Sequence, residues 1–225
     1  MVIKMEKLFE KLNIKPKNMR LYQTAFSHSS YANEHKDKCD YERLEFLGDA
    51  IVDLVVADYL YSNKNISEGE MTKVRSSYVC ENALAVYSND LNLSEYIKVG
   101  VGEEHSGGKH RKAIIADIFE ALMAAIYLDL GYATVRRIIL NIIVPYIENP
   151  NINFFSDYKS ALQEYVQTTQ KSLVYEIISE TGPAHDKTYT IGVRIDDILY
   201  GTGVASSKKE AEQEAAKAVL EKLAV

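Results

Sequence analysis

The chain has few of the residues that build soft-metal or redox centres. Its 225 residues include two cysteines, Cys39 and Cys80, with no zinc or redox spacing between them. So few cysteines suit a reducing compartment, and the expected location is the cytoplasm. The five histidines are scattered, with no H-x₃-H or HExxH pair, which removes the familiar histidine metal sites. No apolar run reaches membrane-spanning length, because charged or polar residues interrupt every one. The opening stretch MVIKMEKLFEKL is charged and amphipathic and lacks the apolar core of a secretion signal. Positive charge is not in excess either: 26 Lys and Arg stand against 32 Asp and Glu, a net charge of −6. A nucleic-acid contact, if there is one, must come from local basic patches.

The rest of the composition is that of a globular protein, 47% hydrophobic and 26% charged, with length enough for one large or two smaller domains. Residues 1–147 read as helices, among them EKLFEKL, the segment 41–61, GEMTKVRSSYVCENALAVYSNDL, KAIIADIFEALMAAIYLDL and TVRRIILNIIVPYI. Gly131 and Pro145 fall near helix ends. The Asn- and Pro-containing stretch after Ile147 breaks the pattern, and 148–155 is expected to be a linker. Beyond it the period changes. DYKSALQEYVQTTQ is helical, SLVYEIIS and KTYTIGVRID are β-branched and aromatic, and DILYGTGVAS follows a turn at Asp196-Asp197. SKKEAEQEAAKAVLEKL is an Ala-rich helix that Ser206 or Ser207 can cap. The expected architecture is an all-α domain followed by a small α-β-β-β-α domain over 156–225.

One segment, ERLEFLGDAIVDLVVADYL, poses a question. Its apolar positions, including Leu44, Phe46, Leu47, Ile51 and Leu54, cover nearly the whole helical circumference, which predicts a buried helix. Yet Glu42, Glu45 and Asp49 share one stripe. A second apolar segment, KAIIADIFEALMAAIYL, again carries acids three apart, Asp117 and Glu120. Small residues lie beside both sets, Gly48 in the first and Ala116 and Ala121 in the second, so the two helices can pack closely. Burying unpaired carboxylates costs several kcal/mol or forces them to take up protons. Two explanations remain open from the pattern alone. Salt bridges to Arg43 or other cations would neutralise the acids, or a hard divalent ion would sit among their oxygens.

The same residues carry a resemblance. ERLEFLGDAI resembles the signature of the ribonuclease III family, which cuts double-stranded RNA. TAFSHSSYANE (24–34), EGEMTKVRSSYV (68–79) and SGGKHRKAIIADIFEALMAAIYLD (106–129) are similar to its neighbouring segments, in the right order. The C-terminal part is similar to a double-stranded-RNA-binding domain, with LQEY on its first helix, GPAHDKTY between its first strands and GTGVASSKKEAEQEAA leading its last helix. The resemblance implies an Mg²⁺-dependent endoribonuclease, with Mn²⁺ as a substitute, leaving 5′-phosphate and 3′-hydroxyl ends in rRNA or mRNA processing.

By position, the resemblance makes Glu45, Asp49, Asp117 and Glu120 metal ligands, with Asp49 and Glu120 catalytic and Asp49 set to orient the attacking water. Glu42 and Glu68 match supporting acids. Asp53 matches no functional position and reads as a solvated or paired acid. The resemblance also implies a homodimer, with Phe46 entering the partner's surface; ordinary core is the alternative for that residue. Two centres related by a two-fold axis match the symmetry of a duplex. Gln163, Glu164, Pro183 and His185 match RNA minor-groove contacts, and Lys208 and Lys209 would grip phosphates at a helix start. Lys109, His110, Arg111 and Lys112 read as phosphate contacts or as a solvated basic turn. Residues 156–225 hold eight Lys and Arg against eleven Asp and Glu, with Glu212 where many such domains have lysine, so modest, salt-sensitive RNA affinity is expected.

Two other sites are excluded. Ser27, Ser29 and Ser30 near His28 lack a G-x-S-x-G motif and a third partner. GVGEEHSGGKH places Glu103 and His110 where a phosphate-binding loop needs Gly and Ser or Thr.

Overall fold

The apolar periodicity of the first two-thirds of the chain folds into helices gathered around one central rod. The computed structural model describes residues 2–35, 39–150, 152, 154, 158–169, 171–183 and 187–223. Its helical part runs α1 (Val2–Leu12), α2 (Met19–Ala25), α3 (Ser29–Glu34), α4 (Glu42–Asn63) and α5 (Glu68–Tyr78). It continues with α6 (Glu81–Asp90), a short α7 (Val101–His105), α8 (Lys112–Leu130) and α9 (Tyr132–Ile147). The rod is α8, which touches α2, α4, α6 and α9. Between Ile114 and Ile126 every residue of α8 is buried except Asp117 and Glu120, which are half-buried. A helix apolar on all sides can satisfy itself only at the centre of a bundle.

Two expectations need correction. First, α4 is not buried all round. Leu44, Gly48, Ile51, Val52, Val55, Val56 and Leu60 are covered, whereas Phe46 is 82% and Leu54 57% exposed, with Tyr61 80% exposed further along. Hydropathy marks what prefers to leave water, and it does not separate a core from a face that awaits a partner. Second, GEMTKVRSSYVCENALAVYSNDL is two helices. Val79 closes α5 on the Arg75 carbonyl, and Cys80 takes an extended backbone (φ −73°, ψ 161°) that starts α6 afresh. Neither Gly nor Pro marks that break.

Elsewhere local chemistry sets the boundaries. Ser67 and Glu70 form a reciprocal capping box at the start of α5. The Asp129 carboxylate accepts from the Lys17 and Asn18 N–H groups and from the Tyr22 hydroxyl, fixing the entry to α2 at 2.8–2.9 Å. The polar stretch after α9 is partly tied down. Phe154 packs its ring against Tyr78, Tyr87 and Tyr146, and the Tyr78 hydroxyl donates to the Ile152 carbonyl at 2.8 Å. These contacts draw the boundary between the two compact units to Phe154 and Phe155, late in the 148–155 stretch.

The second unit contains α10 (Tyr158–Thr168), β1 (Leu173–Thr181), β2 (Thr188–Ile195), β3 (Ile198–Ala205) and α11 (Lys208–Leu223). The strands form an antiparallel sheet in the order β1-β2-β3. Asp196 and Asp197, with φ of 48° and 64°, make the two-residue turn that pairs Ile195 with Ile198. Ser207 caps α11 by accepting from the Glu210 N–H at 3.2 Å. The core is small and contains Leu162, Val166, Ile191, Val193, Ile195, Ala211, Ala215, Ala216 and Val219.

Its thickness depends on small residues. A Cβ at Gly203 would lie 2.2 Å from the Ala215 nitrogen and 2.3 Å from the Ala211 carbonyl oxygen, both backbone atoms that cannot swing aside. Gly203→Ala is therefore expected to cost this unit about 1–3 kcal/mol or more by overpacking. The check is chemical denaturation of the full chain followed by RNA binding. An early transition with lost binding is expected, and wild-type stability would contradict the packing argument.

Candidate active site

Four acids line the crossing of α4 and α8, and the sequence dictates how close that crossing is. Gly48, one turn after Glu45, faces the α8 backbone at Glu120 itself. A Cβ there would sit 2.0 Å from the Glu120 carbonyl oxygen and 2.4 Å from its carbon. With no side chain at that point, the two backbones come together and bring their acids with them. Glu45, Asp117 and Glu120 each offer an oxygen within 4.8 Å of the others, and all three are half-buried. Asp49 stands outside this triad and is exposed, yet its charge acts on both Glu45 and Glu120.

Electrostatics follows from the geometry. Burial, then repulsion from Asp117, Glu42 and Asp49, pushes the Glu45 carboxyl up to about 7. Burial, then the charges of Asp49, Glu45, Asp117 and Asp53, pushes Glu120 up to about 8. Asp117 is raised mainly by burial, against a lowering hydrogen bond from the Tyr41 hydroxyl at 3.0 Å. Among the described residues no lysine or arginine is paired with Glu45, Asp49, Asp117 or Glu120, and Arg43 is exposed on the surface of α4. The salt-bridge explanation therefore fails for this cluster. It does hold for Asp53, whose carboxylate lies 3.9 Å from Arg75. An all-oxygen donor set with uncompensated charge suits a hard cation such as Mg²⁺ or Mn²⁺ rather than zinc.

The other candidates are placed as follows. Glu42 is exposed in the first turn of α4. Glu68 is exposed and accepts from the Thr72 hydroxyl, and it lines a concavity with Ala57, Leu60, Tyr61, Met71 and Arg75, away from the triad. Phe46 is not core. Arg111 pairs with Glu103 at 2.8 Å and Lys109 with Glu104 at 2.5 Å, so an RNA phosphate would have to compete with these acids. In the second unit Gln163 and Pro183 are exposed, and so are Lys208 and Lys209 at the start of α11, with the Lys208 ammonium 5.4 Å over the Tyr189 ring. Glu212 pairs with Lys159 at 2.5 Å. His185 and the Glu164 side chain lie outside the described residues. His28, beside the serines, accepts the Ser30 N–H on Nδ1 and caps α3, which gives it a structural task.

Sequence reasoning missed Tyr41, whose hydroxyl reaches Asp117. Its position directly before the signature helix was the available signal, but the contact spans 76 positions along the chain.

Three carboxylates converging on two crossed helices, followed by an α-β-β-β-α module, define a two-unit chain in which an acidic cleft is joined to a small α+β domain. Residues 18–147 match the family model described as ribonuclease-III-like, and 158–223 match the double-stranded RNA binding motif. A curated relative named Ribonuclease 3 from Onion yellows phytoplasma (strain OY-M) is 48% identical over 218 residues, 96% of this chain and 90% of the relative. One of the same name from Syntrophomonas wolfei is 48% identical over 203 residues, 89% of this chain and 87% of the relative. A solved nuclease domain of ribonuclease III from Campylobacter jejuni has a TM-score of 0.58 and 38% identity, covering 63% of this chain and 96% of that domain. The chain belongs to the ribonuclease III family and is an endoribonuclease.

The raised carboxyls predict a pH dependence. Glu45 and Glu120 hold protons in the folded chain at pH values where the unfolded chain, near 4.5, has lost them. Folded stability without metal therefore falls as pH rises from about 5 to about 8. A divalent ion held there would compete with those protons, so its binding would strengthen over the same window. Thermal unfolding in EDTA and in Mg²⁺ at pH 6 and pH 8 should show the larger metal stabilisation at pH 8. Glu120→Gln should flatten the difference.

Proposed function

We propose that this chain hydrolyses double-stranded RNA with Mg²⁺, or Mn²⁺ in its place, at the Glu45–Asp117–Glu120 triad. One observation carries the reading: three carboxylates from two closely crossed helices converge without a paired cation. A divalent ion held there would activate water and stabilise charge on a phosphoryl oxygen. Glu45, Asp117 and Glu120 supply the ligating oxygens. Asp49, exposed at the mouth, orients the attacking water or adds a ligand, and Glu120 shares the catalytic role. Attack by water leaves 5′-phosphate and 3′-hydroxyl ends, with no side-chain nucleophile. Glu42 and Glu68 act in support.

Residues 156–225 deliver the duplex, through Gln163, Glu164, Pro183 and His185 in the minor groove and Lys208 and Lys209 on phosphates. Arg111 adds a phosphate contact beside α8 once it leaves Glu103. The substrates belong to rRNA and mRNA processing in the cytoplasm. A homodimer places one centre on each strand. The exposed seam of Phe46, Leu54 and Tyr61 on α4 supports this, as does the concavity between α4 and α5 that can receive an aromatic ring. The Campylobacter jejuni nuclease domain has a region involved in dimer formation.

The test is incubation of a long perfect RNA duplex with the purified protein. Cutting to short duplexes should require Mg²⁺, while Ca²⁺ should support binding without turnover. Glu120→Ala should bind RNA and cut at least about 1,000-fold more slowly, equal to about 4 kcal/mol of barrier; normal cutting by this variant refutes the assignment. For the dimer, Phe46→Glu should convert the protein to a folded monomer by light scattering. A dimer that survives this change places the interface elsewhere.

A further inference from the structure

Two ligand-bearing helices crossing at a glycine fix the distance between their backbones, but not the orientation of the carboxylates. Asp117 has a side-chain torsion free to turn its head group, and one of its two oxygens is already engaged. The Tyr41 hydroxyl donates to Asp117 Oδ2 at 3.0 Å. Tyr41 is itself held rigidly. The residue is 3% exposed, within the main core, and its ring lies 5.7 Å from the His28 ring. Its N–H donates to the Ser27 carbonyl at 3.0 Å, and its carbonyl accepts from the Leu44 and Glu45 N–H groups at 2.8 and 2.9 Å. The residue is therefore the N-terminal stop of α4, one turn ahead of Glu45, and also the hydrogen-bond partner of an acid on α8.

We propose that Tyr41 is a positioning residue for the catalytic centre, holding the Asp117 carboxylate in the orientation in which it meets Glu45 and Glu120. The inference rests on the reading of this triad as a metal centre. Tyr41 touches neither ion nor RNA. It couples the backbone start of one ligand helix to the side chain of the other, so that Glu45 and Asp117 are placed by the same residue. Hydrogen-bond partners behind a ligand set its orientation, and their loss commonly weakens metal binding by 10- to 100-fold.

The experiment measures Mn²⁺ binding to the full-length, RNA-free protein by electron paramagnetic resonance of the free ion. Wild type should show a saturable site, and Tyr41→Phe should bind about tenfold more weakly. Its unfolding midpoint in EDTA should match wild type, because the ring is kept. Tyr41→Leu separates packing from the hydroxyl: it should weaken Mn²⁺ binding as Tyr41→Phe does, while also lowering the EDTA midpoint. In cleavage assays, the Mg²⁺ concentration for half-maximal rate should rise about tenfold in Tyr41→Phe and excess Mg²⁺ should restore cutting. Wild-type Mn²⁺ affinity in Tyr41→Phe overturns the proposal, as does an EDTA midpoint that falls as far as that of Tyr41→Leu. Absence of any saturable Mn²⁺ site in wild type overturns the metal reading itself, and this inference with it.

Discussion

The contact on which the rest depends is the missing side chain at Gly48, pressed against the α8 backbone at Glu120. A Cβ there would lie 2.0 Å from a carbonyl oxygen, against ordinary contact at 3.4 Å or more, so the helices would have to part by roughly an ångström or more. Because the clash is with backbone, no rotamer change relieves it. Oxygens now within 4.8 Å of one another would separate. Glycine inside a helix costs about 1 kcal/mol of propensity. At this position that cost secures the approach of two ligand helices.

The central helix shows how the remaining energetics is arranged. From Ile114 to Ile126 everything but Asp117 and Glu120 is fully buried, so the apolar body of α8 stabilises the fold while its two acids oppose it. Such a cluster stores repulsion, and in the proposed reading a divalent ion would relieve it by binding a site that is already assembled. α4 divides its circumference in a similar way. Glu45 and Gly48 turn toward α8, and the neighbouring Phe46 stands in solvent on a stripe that continues to Leu54 and Tyr61. In the proposed dimer, a single helix carries the ligand and the docking ring one residue apart, so the interface and the spacing of the two centres are set together.

Much of this was legible in the sequence because it is local. Acids three apart on apolar helices, small residues beside them, the change of period after Ile147 and the Asp196-Asp197 turn are all patterns within a few residues, and the resemblance lay in the same segments. What escaped is non-local or depends on a partner. Phe46 and Leu54 counted toward a buried helix because hydropathy registers preference and not neighbours. Asp49 shares the stripe of Glu45 but lies outside the triad, since a second helix decides which acids on a stripe converge. Arg111 read as a phosphate contact or part of a solvated basic turn, and its pairing with Glu103 from the preceding short helix was not visible in the pattern. Tyr41 stood directly before the signature helix, but nothing local revealed its partner, which lies on a helix 76 positions along the chain.

Negative charge is handled differently at the α4–α8 crossing and in the second unit. At the α4–α8 crossing, three half-buried acids converge and, among the described residues, no lysine or arginine pairs with them, whereas Asp53, Asp58, Glu103 and Glu104 elsewhere in the helical unit are paired. In the second unit the acids are spread along the surface and several are paired: Glu212 with Lys159, Glu176 with Arg194 and Glu180 with Lys187. Exposed pairs of this kind contribute little stability, about 0–1 kcal/mol each. Their effect here is to muffle the acidic residues of a module that must approach a polyanion. Lys208 and Lys209, by contrast, are exposed at the N-terminus of α11, with the Lys208 ammonium 5.4 Å over the Tyr189 ring, and the helix dipole adds to their charge. A domain with more acids than bases can thus present a locally positive face, and its hold on phosphate should weaken as salt screens those few charges.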